Sequence, residues 1–164
     1  MLVQTYIHIP GITQEIEVSL WRQGASDWET LLETPDRWRV SEPYRSALIA
    51  GVERSIEAFE KGDYPYFATR LPLREHWRDY EEYRHETAFI DIETDGANTI
   101  TVIGVYDGEE VYQFVQGDNL DEFPEFIREF SMLVTFNGLH FDLPMINRQF
   151  PALAFDQLHL DLCP

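Results

Sequence analysis

One stretch constrains the fold more than any other: Ala88-Phe89-Ile90-Asp91-Ile92-Glu93-Thr94-Asp95-Gly96, an apolar run ending in two carboxylates separated by one residue. Residues i and i+2 of a strand point to the same face, so Asp91 and Glu93 present both carboxylates on one side, with Phe89 ahead of them and Ile90 and Ile92 opposite. The pattern predicts a buried strand whose C-terminal end carries the acids. Like charges this close repel, and burying them is costly unless a cation or strong hydrogen bonds offset them. The pair therefore reads either as metal ligands or as an exposed Asp-x-Glu before a glycine turn.

The residues that follow favour the first reading. After a turn at 96–98, residues 99–106 predict a second strand, Asp107-Gly108 a hairpin turn and residues 111–115 a third strand. Leu120, Phe123, Ile127 and Phe130 recur at helical spacing, and residues 132–136 form another short apolar strand. That strand runs into Asn137-Gly138-Leu139-His140-Phe141-Asp142-Leu143-Pro144. Asp142 fits a helix N-cap, with Pro144 in the first turn and apolar Met145 and Ile146 behind it.

Strand, strand, strand, helix, strand is the opening of the ribonuclease H fold. Within it, Asp91-Ile92-Glu93-Thr94 followed by Asn137 to Asp142 resembles the first two acidic motifs of the DEDD-type 3′→5′ exonucleases. The nearer resemblance is to the small prokaryotic ribonuclease H-like exonuclease domain proteins. It runs from about Thr87 to the C-terminus, and residues 71–80 share its character. The resemblance implies two-metal phosphodiester hydrolysis with Mg²⁺ or Mn²⁺, hard ions suited to carboxylate oxygens. It implies that Asp91 bridges both ions, that Glu93 binds the ion activating water, and that Asp142 ligates the other directly or through water. Thr94, Asn137 and Phe141 then lie beside the substrate strand; a turn Asn and a core Phe are the plain alternatives for the last two.

The sequence also departs from that pattern. The resemblance calls for a fourth acid on a later helix, four residues after a His or Tyr. The only later acids are Asp156 and Asp161, and His159-Leu160-Asp161-Leu162 reads as a fifth strand. Structural or surface roles are the default for Asp161 and His159. The expectation is a ribonuclease H-like domain lacking its C-terminal helices.

Length allows one domain with a small appendage. The single Cys163 excludes an intramolecular disulfide framework. No apolar stretch approaches the ~20 residues that span a bilayer, and no signal-peptide pattern opens the chain, so a cytoplasmic protein without membrane association is expected. The net charge of −18 is the opposite of a basic nucleic-acid footprint. It is concentrated: residues 1–85 carry ten Arg or Lys against fifteen acids, a balance of −5, whereas residues 86–164 carry two against fifteen, or −13. Phosphate contacts should therefore come mainly from the first half.

That first half holds a second motif. Tyr6 to Thr13, with Gly11, then residues 15–21, Gly24 and residues 28–32 resemble a degenerate helix-hairpin-helix, in which backbone N–H groups at a helix N-terminus meet a DNA phosphate. Thr13 stands where a second Gly is usual, and Glu15 and Glu17 add negative charge, so a purely structural hairpin with Trp21 and Trp28 as core aromatics is the alternative. Ser26 with Glu29 fits a capping box. Residues 41–61 predict a helix with Leu48, Val52, Ile56 and Phe59 on one face and Gly62 at C′. Arg70, Arg74, Arg78 and Arg84, with Trp77 and Tyr80, form either an Arg-aromatic surface for single-stranded bases or linker packing in which Arg pairs with local acids.

The sequence thus predicts an α/β fold: a ribonuclease H-like mixed sheet with flanking helices over residues 85–164, preceded by a helical segment over residues 1–84. The function expected is a metal-dependent nuclease acting 3′→5′ on single-stranded DNA or RNA ends. The alternative is a non-catalytic nucleic-acid-binding or protein-interaction module.

Overall fold

Strand β1 (Thr87–Thr94) occupies the centre of a five-stranded sheet of order β3-β2-β1-β4-β5. It pairs antiparallel with β2 (Ile100–Tyr106), which pairs antiparallel with β3 (Val111–Val115). On its other edge β1 runs parallel to β4 (Met132–Thr135), and β4 runs parallel to β5 (Leu158–Asp161). These coordinates are a computed structural model that describes residues 1–96 and 99–163. Two compact units divide the chain, Met1–Arg78 and Asp79–Pro164.

Alternation along β1 sorts its side chains as the sequence pattern requires. Ala88, Ile90 and Ile92 join Ile103, Val105, Phe114 and Leu133 in one apolar core, covered by Phe123, Ile127, Met145 and Ile146. Phe89, Asp91 and Glu93 take the opposite face. The covering helices are α6 (Phe123–Phe126), flanked by 3₁₀ turns Leu120–Glu122 and Ile127–Glu129, and α7 (Asp142–Gln149). The apolar spacing over 120–130 therefore builds three short pieces rather than one helix. Between β1 and β2, Asp95 and Thr99 exchange backbone and side-chain hydrogen bonds; residues 97 and 98 of the expected turn lie outside the described residues.

The N-terminal unit is helical: α1 (Gln14–Gln23), α2 (Trp28–Glu33), α3 (Tyr44–Glu60) and α4 (Tyr64–Ala68). The C-terminal unit opens with α5 (Tyr80–Tyr83). Thr13, at the place of the missing glycine, is the N-cap of α1 and accepts from Ile16 N–H. Glu17 is wholly buried. Its carboxylate accepts N–H bonds from Tyr6 at 2.7 Å and Ile7 at 3.3 Å, and pairs with Arg78 at 2.9 Å; Arg78 also pairs with Glu75 at 2.8 Å. With Glu15 exposed beside it and Glu17 committed inward, the first turn of α1 is acidic, in keeping with the structural alternative to a phosphate-binding hairpin.

Three expectations are corrected here. The N-cap of α2 is Asp27, whose carboxylate accepts from Thr30 N–H, while Ser26 donates to Asp27, so no Ser26-Glu29 capping box forms. Trp28 is buried, but Trp21 is exposed because its indole N–H already finds Gln4 O at the surface. The buried face of α3 is Leu48, Gly51, Val52, Ser55 and Ala58, with Phe59 exposed. Gly51 sets this rotation, since a Cβ there would sit 2.5 Å from Ile9 Cγ2. Arg78 is buried between carboxylates, as the alternative of linker packing with Arg paired to acids describes.

His8 lies among Trp28, Tyr66 and Phe67, with Nε2 at 2.6 Å from Ser55 Oγ. Ser55 Oγ donates to Gly51 O, so His8 Nε2 is the donor and Nδ1 is unprotonated. Burial, then the charges of Arg70 and Arg78, lower its pKa to about 3. The unfolded state binds a proton below about pH 6.5 and the folded state does not. Stability of this unit is thus fully present above that pH and falls as pH drops toward 3, by about 1.4 kcal/mol per pH unit. Urea unfolding followed by tryptophan fluorescence reads this unit, because Trp21, Trp28, Trp38 and Trp77 all lie in it. The slope should shrink in His8→Gln.

Candidate active site

Parallel pairing of β1 with β4 spans Thr87↔Met132 to Phe89↔Val134, so β1 runs on for five residues alone on that edge. Into this space comes the N-terminus of α7. The Asp142 carboxyl, 4% exposed, faces Ile92 N–H. Asp142 is therefore not the N-cap expected from the sequence. It is the first residue of α7, Phe141 stands in the cap position without a side-chain cap bond, and the carboxylate turns back to β1.

Burial raises the Asp142 pKa above the ordinary carboxylate range, and the charges of Asp91 and then Asp161 push the same way. The charge of Asp91, from the separate motif on β1, thus reaches Asp142. Asp91 and Glu93 are both exposed on the open face of β1. Among the described residues, no group of three or more His, Cys, Asp and Glu side chains could hold a metal ion. The fold brings Asp91 and Asp142 together and places Glu93 on the face of Asp91, without gathering all three into one cage.

The loop 136–141 between β4 and α7 is shaped by an acid that the sequence left without a role in the site. Asp161, the last residue of β5, accepts N–H bonds from Asn137 at 2.7 Å, Leu139 at 2.9 Å and Cys163 at 3.0 Å. Partial burial raises its pKa, but these three donors and the charge of His159 outweigh that and hold it below the usual range. Asn137 is held at φ 60°, a left-handed conformation that Asn tolerates better than most residues. Next to it, a Cβ on Gly138 would meet Thr135 Oγ1 at 2.3 Å, so only glycine lets the loop close on β4. Thr135 Oγ1 is also 2.8 Å from His159 Nε2, tying β4 to β5 at the same level. The signal was present as an Asp ending a predicted strand, but its partners are backbone groups, which no residue pattern displays.

Two aromatic side chains flank this loop on the surface: Phe141, singled out from sequence, and Phe136, read there only as the end of a strand. Thr94 closes β1 opposite Ile100, after a register shift between Glu93 and Thr94. Thr101 Oγ1 donates to Glu93 O at 3.1 Å and fixes the backbone there.

Residues 88–164 match the family model RNase_H_2, described as RNase_H superfamily. This stretch is thus similar to the RNase H superfamily, and the 3-2-1-4-5 mixed sheet of the C-terminal unit is the RNase H-like α/β fold expected from sequence. Neither the curated proteins nor the solved structures compared with the chain yield a match. No helix among the described residues is long and apolar enough to cross a membrane.

Asp142 can be probed through its structural bond. Asp142→Ala leaves Ile92 N–H without its acceptor and should lower unfolding stability by about 1–3 kcal/mol. Asp142→Asn keeps an acceptor oxygen and should cost less. Because the folded pKa is raised, the contribution of the native carboxyl is fully present below the unfolded pKa and lost as pH rises through the folded value. Urea titrations by circular dichroism between pH 4 and 7 should show this decline in the native chain and not in Asp142→Asn.

Proposed function

We propose that the C-terminal unit is a divalent-metal-dependent nuclease that removes nucleotides 3′→5′ from single-stranded DNA or RNA ends. The observation that carries this reading is the approach of Asp142 to Asp91, two acids from separate elements converging at the open end of β1. The similarity of residues 88–164 to the RNase H superfamily supports nucleic-acid phosphodiester hydrolysis as the general reaction.

The donor chemistry fits Mg²⁺ or Mn²⁺, because hard cations take carboxylate oxygens and a cation offsets both the burial and the neighbouring charge that raise the Asp142 pKa. Asp91, Glu93 and Asp142 are the residues that would hold it. When bound, such ions supply an activated water and charge stabilisation at the leaving oxygen. The chain's own part is positioning. Ile92 N–H aims the Asp142 carboxylate, the Asp161 clamp sets the loop that carries Asn137, and exposed Phe136 and Phe141 offer stacking faces to terminal bases. Thr94, at the end of β1, is placed beside the same strand in this reading.

A second reading, a binding module without hydrolysis, is favoured by the −13 balance of residues 86–164, which repels a phosphate backbone. A 5′-labelled single strand in Mn²⁺ separates the two. The nuclease reading expects a ladder shortening from the 3′ end, and Asp91→Ala should reduce its rate at least about a hundredfold. Equal cleavage by Asp91→Ala, or none by the native chain, contradicts it.

A further inference from the structure

Within the N-terminal unit a cavity of about 500 Å³ is lined by Gln4, Thr5, Trp21, Ser26, Trp77 and Arg78. That volume lies in the range of small-molecule sites, about 300–1,000 Å³. Two large aromatic side chains stand at it with much of their surface in solvent, Trp21 at 39% and Trp77 at 43% exposure. Both indoles lie 5.7 Å from the Arg78 guanidinium carbon, so one buried cation orders both rings. Trp21 is fixed further by its N–H bond to Gln4 O at 2.8 Å.

Arg78 is buried between two carboxylates, Glu17 at 2.9 Å and Glu75 at 2.8 Å, and Arg74 also meets Glu75 at 3.5 Å, so the charges of this cluster are matched. The buried guanidinium is thus committed to carboxylates rather than offered to a phosphate. Ser26 Oγ donates to Asp27, and Thr5 Oγ1 donates to Met1 O and accepts from Arg78. The Gln4 side-chain amide makes no hydrogen bond among the described residues and can both donate and accept. What remains is two exposed ring faces and one amide, which is the chemistry that recognises an uncharged planar heterocycle by stacking and an edge hydrogen bond.

We propose that this cavity holds an unpaired base of a single-stranded nucleic acid, Trp21 and Trp77 supplying the stacking faces. The inference rests on the nucleic-acid reading of the C-terminal unit for the identity of the heterocycle, and it places substrate recognition in the first 78 residues. It also assigns Arg78 the work of ordering the two indoles rather than binding phosphate. Sequence-tolerant binding follows, because every base has a stacking face.

Anisotropy of fluorescein-labelled dA12 with the full chain in EDTA tests this apart from catalysis. The native chain should bind dA12, and bind a blunt 12-base-pair duplex more weakly because its bases are paired and stacked. Trp21→Ala and Trp77→Ala should each weaken dA12 binding about tenfold, whereas Trp77→Phe should stay within about threefold because Phe also stacks. Circular dichroism of the Ala variants separates loss of the ring from loss of fold. No binding by the native chain, binding within twofold in both Ala variants, or weakening as large in Trp77→Phe as in Trp77→Ala overturns the proposal. Cleavage that depends on Asp91 alongside unchanged binding in the Trp variants would remove this inference and keep the nuclease reading; the reverse pattern would do the opposite.

Discussion

The burial of the Asp142 carboxyl against β1 is the constraint on which the C-terminal unit's site depends. β1 must outrun β4 to leave room beside it, and α7 must begin at residue 142 for the carboxyl to reach that space. Burial raises the pKa of Asp142, and the charge of Asp91 adds to the rise. A purely structural bracket would be served equally by an uncharged acceptor. A carboxylate held beside another carboxylate is costly unless its charge has a use, and perturbed acids of this kind cluster at functional sites.

Around that contact the loop 136–141 is over-determined. Asp161 takes two of its amides, Gly138 admits the close approach to Thr135, and His159 joins Thr135 from the neighbouring strand. Asn137 stays at positive φ because these neighbours define its backbone. The N-terminal unit shows a comparable economy. Glu17 fixes the turn at Tyr6 and Ile7 with one oxygen and Arg78 with the other, and Arg78 in turn orders the two exposed indoles. Removing one partner of such a buried pair costs more than the pair contributes, since it strands a charge away from water.

Much of the fold was legible because it rests on alternation along strands. β1 shows its two faces in the order of Phe89, Ile90, Asp91, Ile92 and Glu93, and β3 was read with its observed bounds. The helix over 41–61 was legible in existence, and Gly62 indeed takes positive φ at its end. Its buried face was not, because Gly51 packs against Ile9 and turns Phe59 outward, a choice made by tertiary contact. Asp142 was read as a local N-cap and, by resemblance, as a cation ligand; the cap position falls to Phe141, and the Asp142 carboxyl is buried toward a strand fifty residues earlier in the chain. Pairing of Arg78 with acids was among the alternatives, but nothing local announces that Glu17, sixty-one residues away, will be the buried partner. Spacing reveals which face a side chain takes; it does not reveal which distant backbone group or charge will be waiting there.

The central claim is that the acids of β1 and α7 form one cation-binding site. Isothermal titration of the full chain with Mn²⁺, run in parallel with Asp91→Ala, tests it most directly. The account predicts saturable binding to the native chain that is lost in Asp91→Ala. Binding of equal strength in the variant, or none in the native chain, would contradict it.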